Sequence, residues 1–153
     1  MRHLELKIPP PLVALLCVAA MWHLSKITPG LGLPTELRWF LAGLFVLVGV
    51  ALDLRGLLTF LKSGTTVNPL KPHQASALVV TGVYRHTRNP MYLGLAFLLS
   101  AVAIFLDAPV AWLGVAAFVG YITLFQIKPE EAALRRIFGA AYREYCERVR
   151  RWL

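Results

Sequence analysis

Four stretches of apolar residues, separated by short polar or proline-containing breaks, organise this chain. A helix needs roughly 17–25 mainly apolar residues to cross the hydrocarbon of a bilayer. Ile8 to Ser25 contains no Asp, Glu, Lys or Arg, and Trp39 to Leu61 is interrupted only by Asp53 and Arg55. Asn89 to Leu106 and Val110 to Ile127 carry no formal charge. The pattern predicts an all-α integral membrane protein with about four transmembrane helices, over about 11–27, 38–61, 90–106 and 110–127.

The breaks agree with that division. Pro11 suits a helix start, and Thr28-Pro29-Gly30 ends the first span. Asp107-Ala108-Pro109 reads as a tight turn between the third and fourth spans. Residues 63–90 form the long polar connection, punctuated by Gly64, Pro69, Pro72, Gly82 and Pro90, and a connection of that length is expected to be functional or disordered. The apolar run Ala77 to Val80 inside it predicts packing. From 129 to 151 the period changes: Leu134, Ile137, Phe138, Ala141, Tyr142 and Tyr145 recur at three- and four-residue steps, with Arg135, Arg136 and Arg143 off the stripe. Pro129 fits a first helical position, with Glu130 and Glu131 in the first turn, where the helix dipole favours anions. This segment is expected to be a basic, cytoplasmic amphipathic helix on the membrane surface, interrupted at Gly139.

Composition removes the soluble alternatives. A chain of 153 residues that is 58% hydrophobic, with mean hydropathy +0.62, leaves no room for a separate aqueous domain, so 1–153 is expected to be one membrane domain. The net charge of +8 belongs to topology rather than to nucleic acid. All but Lys26 and Arg38 of the 16 Lys and Arg residues fall on one side of a four-span arrangement. By the positive-inside rule, both termini and the long connection are cytoplasmic. Cys17 lies in a span and Cys146 in the tail, so no disulfide is expected, and the first span is expected to be retained rather than cleaved.

The chain has no nucleophile elbow, P-loop or dinucleotide-binding glycine fingerprint. His3, His23, His73 and His86 lack ligand-like spacing, so no metal site is expected. Asp53 and Arg55 read as snorkelling or paired side chains at a span end. Arg88 to Gly94 is different, because Pro90 disfavours helix at Asn89 and opens the third span. Backbone N–H groups exposed there can serve a ligand carboxylate or ribose, with Tyr92 and Gly94 lining a pocket. The same residues also fit an interfacial anchor at headgroup depth. Spacing alone does not separate the two.

The run Gly82 to Gly94 resembles the signature of the isoprenylcysteine carboxyl methyltransferase family. So does Glu130-Glu131 followed by Leu134, Phe138-Gly139, Tyr142 and Tyr145, while Gly64 to Pro69 is similar to prokaryotic relatives of that family. The resemblance covers residues 63–153. It implies a membrane methyltransferase that uses S-adenosylmethionine on a lipid-soluble methyl acceptor. It also implies that Tyr84, Asn89, Pro90, Met91, Tyr92 and Gly94 touch the cofactor, with Ala77, Leu78 and Val79 lining its pocket. Glu130 would meet the cofactor's α-amino group, supported by Glu131. Helix-start N–H groups or Arg88 could then meet its carboxylate, and Arg88 and Gln126 are the candidate catalytic residues. Asn89 stands where the family commonly has His, and keeps hydrogen-bonding capacity. Gln126 stands where animal members place an Arg for the substrate carboxylate, so a charge-assisted contact is absent. Two alternatives remain at this point. Sterol reductases carry a similar Arg-His-Pro-x-Tyr-x-Gly element, implying NADPH, and a non-enzymatic lipid-interacting protein would account for the tail.

Overall fold

A computed structural model describes residues 5–63 and 77–153. The readings at Arg2, His3, Gly64 to Pro69, Lys71 and His73 lie outside the described residues. All regular elements among the described residues are helical. They are α1 (Pro10–Ser25), α2 (Thr35–Lys62), a 3-10 turn (Gly82–Arg85), α3 (Pro90–Leu106), a second 3-10 turn (Pro109–Ala111), α4 (Trp112–Ile122), a π turn (Thr123–Ile127) and α5 (Lys128–Arg148). At 1.5 Å per residue, the 28 residues of α2 reach about 42 Å, beyond a hydrocarbon thickness of about 30 Å. Its Trp39, Phe40, Leu47, Leu54, Leu58 and Leu61 are all more than half exposed. An apolar helix left this uncovered by protein is one that lipid can cover. Two helical runs, Thr35–Lys62 and Pro109–Arg148, are long and apolar enough to cross a membrane, whereas Pro10–Ser25 and Pro90–Leu106 are shorter apolar helices.

The core forms around α3, which packs on α2 along one side and on α1 and α4 along the other. Met21 of α1, Leu99 and Ala103 of α3 and Phe118 and Ile122 of α4 are fully enclosed there. The α2–α3 contact depends on small residues. A Cβ at Gly49 would fall 2.9 Å from the Gly94 carbonyl oxygen, and one at Gly94 would meet the Asp53 side chain. Bare backbone at both positions lets the two helices touch. At the far end, Asp107 adopts a left-handed conformation (φ 56) that closes α3. Its Oδ2 accepts from Gly32 N at 2.9 Å, its carbonyl accepts from Leu31 N at 2.8 Å, and Arg38 Nη2 donates to Phe105 O at 2.5 Å. The connection after α1 is thereby pinned to the α3–α4 turn.

The sequence predicts a helix opening at Pro129, and α5 does have Pro129, Glu130 and Glu131 in its first turn, but it continues α4 helically through the π turn. Pro129 has no N–H to give to the carbonyl four residues back, and the widened turn absorbs that loss. Lys128 N bonds Thr123 O, five residues back, while the freed Phe125 carbonyl accepts from Leu6 N at 3.0 Å. Gly139 (φ 52, ψ −118) kinks α5 where the sequence stripe is interrupted. The helix stops at Arg148 rather than 151, because Val149 turns extended (φ −124, ψ 129) and the chain then runs beside residues 87–89.

Candidate functional site

The first turn of α3 meets the first turn of α5 at a half-buried carboxylate. Tyr92 Oη donates to Glu130 Oε1 at 2.5 Å, and Gln126 Nε2 donates to the same oxygen at 3.0 Å. Gln126 is carried by the π turn, only 1% exposed, four residues before Glu130. π turns inserted in helices recur at functional sites, where they redirect a side chain. Burial lifts the Glu130 carboxyl to about 7. The Tyr92 and Gln126 hydrogen bonds resist that rise, and the Glu131 charge adds to it. No cationic side chain pairs with Glu130 among the described residues.

Glu131, one residue on, has the opposite surroundings. Arg151 grips it with Nε and Nη2, each at 2.9 Å, and Arg88 Nη2 approaches to 3.2 Å. Arg135 adds a looser contact at 3.7 Å. Burial alone would raise this carboxyl, but the Arg151 hydrogen bond and the Arg88, Arg151 and Arg135 charges hold it below its ordinary range. Arg88 also donates to Cys146 Sγ, and its Nε is buried without a hydrogen-bond partner among the described residues.

The extended end of the chain ties the two helix starts together. Arg88 N donates to Arg150 O at 3.0 Å, and Asn89 Nδ2 donates to Arg151 O at 2.9 Å. Trp152 Nε1 reaches Thr123 Oγ1 in the π turn at 3.2 Å. On the outer side, Tyr145 Oη donates to Tyr84 O at 2.7 Å. Leu78, Leu134 and Phe138 pack against Tyr142, Tyr145 and Val149. The apolar stripe of α5 therefore packs on Leu78 and Tyr84 at the described end of the connection. Burial pushes the Tyr84 phenol far above its ordinary value, with Tyr145 and Glu130 reinforcing it.

Of the residues singled out in the sequence, Tyr92, Gln126 and Glu130 touch directly. Arg88 and Glu131 form the adjoining ion cluster, Asn89 holds the tail, and Tyr84 is buried beneath Tyr145. Pro90 and Met91 lie against α2, at 3.4 and 2.8 Å from where a Cβ on Gly56 would stand. Gly94 likewise turns its missing side chain to α2. Val79 is buried and Ala77 half-buried. Sequence reasoning missed Arg151, which it places at the end of the basic helix, and Trp152, to which it gives no role. The one signal was that the stripe ends at Tyr145. No cluster of His, Cys, Asp or Glu among the described residues is arranged to hold a metal.

An all-helical, largely apolar chain with a tyrosine-lined carboxylate at a helix junction defines a membrane-type protein with an internal polar site. It belongs to the phospholipid methyltransferase family, whose profile matches residues 37–141 and so takes in Tyr92, Gln126 and Glu130. An uncharacterized protein of Haemophilus influenzae is 48% identical over 63 residues, covering 41% of this chain and 100% of that protein. Protein-S-isoprenylcysteine O-methyltransferase B of Arabidopsis thaliana is 25% identical over 137 residues, 86% of this chain and 68% of the relative. Protein-S-isoprenylcysteine O-methyltransferase A of the same plant is 29% identical over 106 residues, 69% of this chain and 54% of the relative. No solved structure gives a significant match.

Proposed function

We propose that this protein transfers a methyl group from S-adenosylmethionine to a lipophilic acceptor at the cytoplasmic face of a membrane. The observation that carries this reading is Glu130, a half-buried carboxylate held by neutral donors and, among the described residues, by no cation. A carboxylate in that state is suited to a cationic ligand, because burying an ammonium beside it supplies the missing counter-charge. Glu130 would hold the α-amino group. The open Nε of Arg88 and the N–H groups at the start of α3 are donors suited to the carboxylate end. Tyr84 and Tyr92 would offer aromatic faces that tolerate positive charge, and Ala77, Leu78, Val79 and Asn89 would line the same region.

When bound, S-adenosylmethionine supplies an electrophilic methyl group on a sulfonium. The chain's own contribution is positioning and exclusion of water, and good alignment of two reactants is worth roughly 7–11 kcal/mol. Tyr92 and Gln126 fix the Glu130 carboxylate, the Arg88–Glu131–Arg151 cluster fixes the helix that carries it, and the tail fixes the Asn89 turn. Gln126 brings no charge for an acceptor carboxylate, and Arg88 and Arg151 are both paired with Glu131. The acceptor that fits best is therefore neutral or cationic. The exposed apolar surface of α2 supports the membrane setting, and the charge distribution supports four crossings with both termini cytoplasmic.

Incubating the purified protein with methyl-labelled S-adenosylmethionine and a total lipid extract tests the reading. Label is expected in the organic phase, and identifying the labelled product names the acceptor. An unlabelled organic phase together with absent S-adenosylmethionine binding would end this reading, and binding of NADPH instead would move it to reduction.

A further inference from the structure

A second polar feature lies apart from the Glu130 cluster. Arg55, Leu58, Thr59 and Lys62 are spaced to share one face of α2, near its end. With the 3-10 turn they enclose a half-open cleft of about 370 Å³, lined by Gly82 and Val83 of the turn and by His86 just after it. The turn sits close because Gly82 has φ +58 and no side chain; a Cβ there would stand 3.0 Å from Thr59 Oγ1. Arg55, Lys62 and His86 thus converge from two elements, and none has an acidic partner among the described residues. Leu58 and Val83 supply apolar wall between them. The neighbouring stripe of α2, Leu54, Leu57 and Leu61, is exposed.

Basic head positions beside an uncovered apolar stripe are complementary to one kind of ligand: a phosphate joined to acyl chains. A cleft of this size suits a headgroup rather than a lone ion. We infer that the cleft between α2 and the 3-10 turn holds the phosphate of an anionic membrane lipid as a non-reacting ligand. The acyl chains then lie along the leucine stripe. None of the cleft's residues belongs to the Glu130–Glu131 network, so this ligand is distinct from the methyl acceptor. The inference rests on the reading of α2 as a membrane span with this end in the cytoplasmic leaflet.

The test uses the full chain in detergent, titrated with short-chain phosphatidylglycerol, short-chain phosphatidylcholine and glycerol 3-phosphate, with native mass spectrometry as readout. Phosphatidylglycerol is expected to bind at least about tenfold more tightly than phosphatidylcholine. The double variant Arg55→Gln/Lys62→Gln should lose that preference, and His86→Gln part of it. All three side chains are exposed, so packing is kept, and retained S-adenosylmethionine binding in the same preparations checks the fold. A control on α5, Arg143→Gln/Arg148→Gln, should keep the preference. Equal binding of the two lipids overturns the inference, as does a preference that survives in the cleft variant or vanishes in the control. Glycerol 3-phosphate binding as tightly as phosphatidylglycerol overturns the lipid and leaves a soluble phosphate ester. A wild type that prefers anionic lipid but binds no S-adenosylmethionine keeps this inference while removing the proposed function.

Discussion

Glu130 and Glu131 are adjacent on one helix, yet the two sides of that helix treat them in opposite ways. On the Glu131 side, Arg88, Arg135 and Arg151 surround the carboxylate, and its charge is fully answered from within the chain. On the Glu130 side, a phenol and an amide are the donors among the described residues, and the carboxyl is lifted to about 7. Glu131 is built as structure. Glu130 is held in position by neutral donors, which is the basis of the ligand role proposed for it. Adjacency in sequence says nothing about this difference, which arises because the π turn aims Gln126 and Glu130 at α3 while the extended tail brings Arg151 to Glu131.

The largest expected effect tests the structural half. Glu131→Gln leaves the Arg88 and Arg151 guanidiniums together without their anion. Breaking a buried pair by removing one partner costs about 3–5 kcal/mol, and the lower end applies because Arg135 and Arg151 reach solvent. Thermal unfolding in detergent should show a loss of about 3 kcal/mol for Glu131→Gln and none for Glu130→Gln. Equal losses in both variants would erase the distinction between the two acids.

Next comes the binding half. Glu130→Gln should weaken S-adenosylmethionine binding by about 2 kcal/mol, the worth of one charge-assisted contact, as measured by calorimetry. The pH dependence gives an independent sign. The folded carboxyl titrates near 7, above its ordinary value of 4.5, so the folded state holds a proton that the unfolded state releases. Stability of the ligand-free protein should therefore fall as pH rises from about 4.5 to about 7, and Glu130→Gln should be flat there by comparison. Glu131, with its lowered carboxyl, contributes stability that is lost only below that window. Tyr92 and Tyr84, which face Glu130, are phenols that do not ionise in this range. Binding of a cationic ligand should strengthen over the same rise in pH, as Glu130 ionises. A ligand affinity that falls with pH would contradict the role given to Glu130.

Much of this was legible beforehand because hydrophobic periodicity is local. The apolar runs marked α2 and α3 to within a few residues, and Pro90 marked the start of α3. The motif residues Tyr92 and Glu130 proved to be in contact. Three features were not legible. The π turn depends on how the chain accommodates Pro129, which does lie in the first turn of α5, but of a helix continuous with α4 rather than separate from it. The strap at 149–152 is held by backbone carbonyls of Arg150 and Arg151, which leave no trace in side-chain pattern. The close approach of Met91 and Gly94 to α2 was the third, because which neighbouring helix a residue packs on is decided by tertiary packing.

The smallest effect separates the two acids most finely. Tyr92→Phe removes one donor from Glu130 and leaves the Glu131 cluster untouched. The ring stays, so the apolar contacts of the α3 start are kept, and the change isolates a hydrogen bond with a net worth of about 1 kcal/mol. Because that bond favours the ionised carboxylate, its loss should move the pH midpoint of S-adenosylmethionine binding upward, with affinity well above the midpoint reduced only slightly. Calorimetric titrations across a pH series, run beside wild type, give the midpoint directly. A midpoint that stays put or moves downward would mean that Tyr92 does not tune Glu130, and that their contact is packing alone.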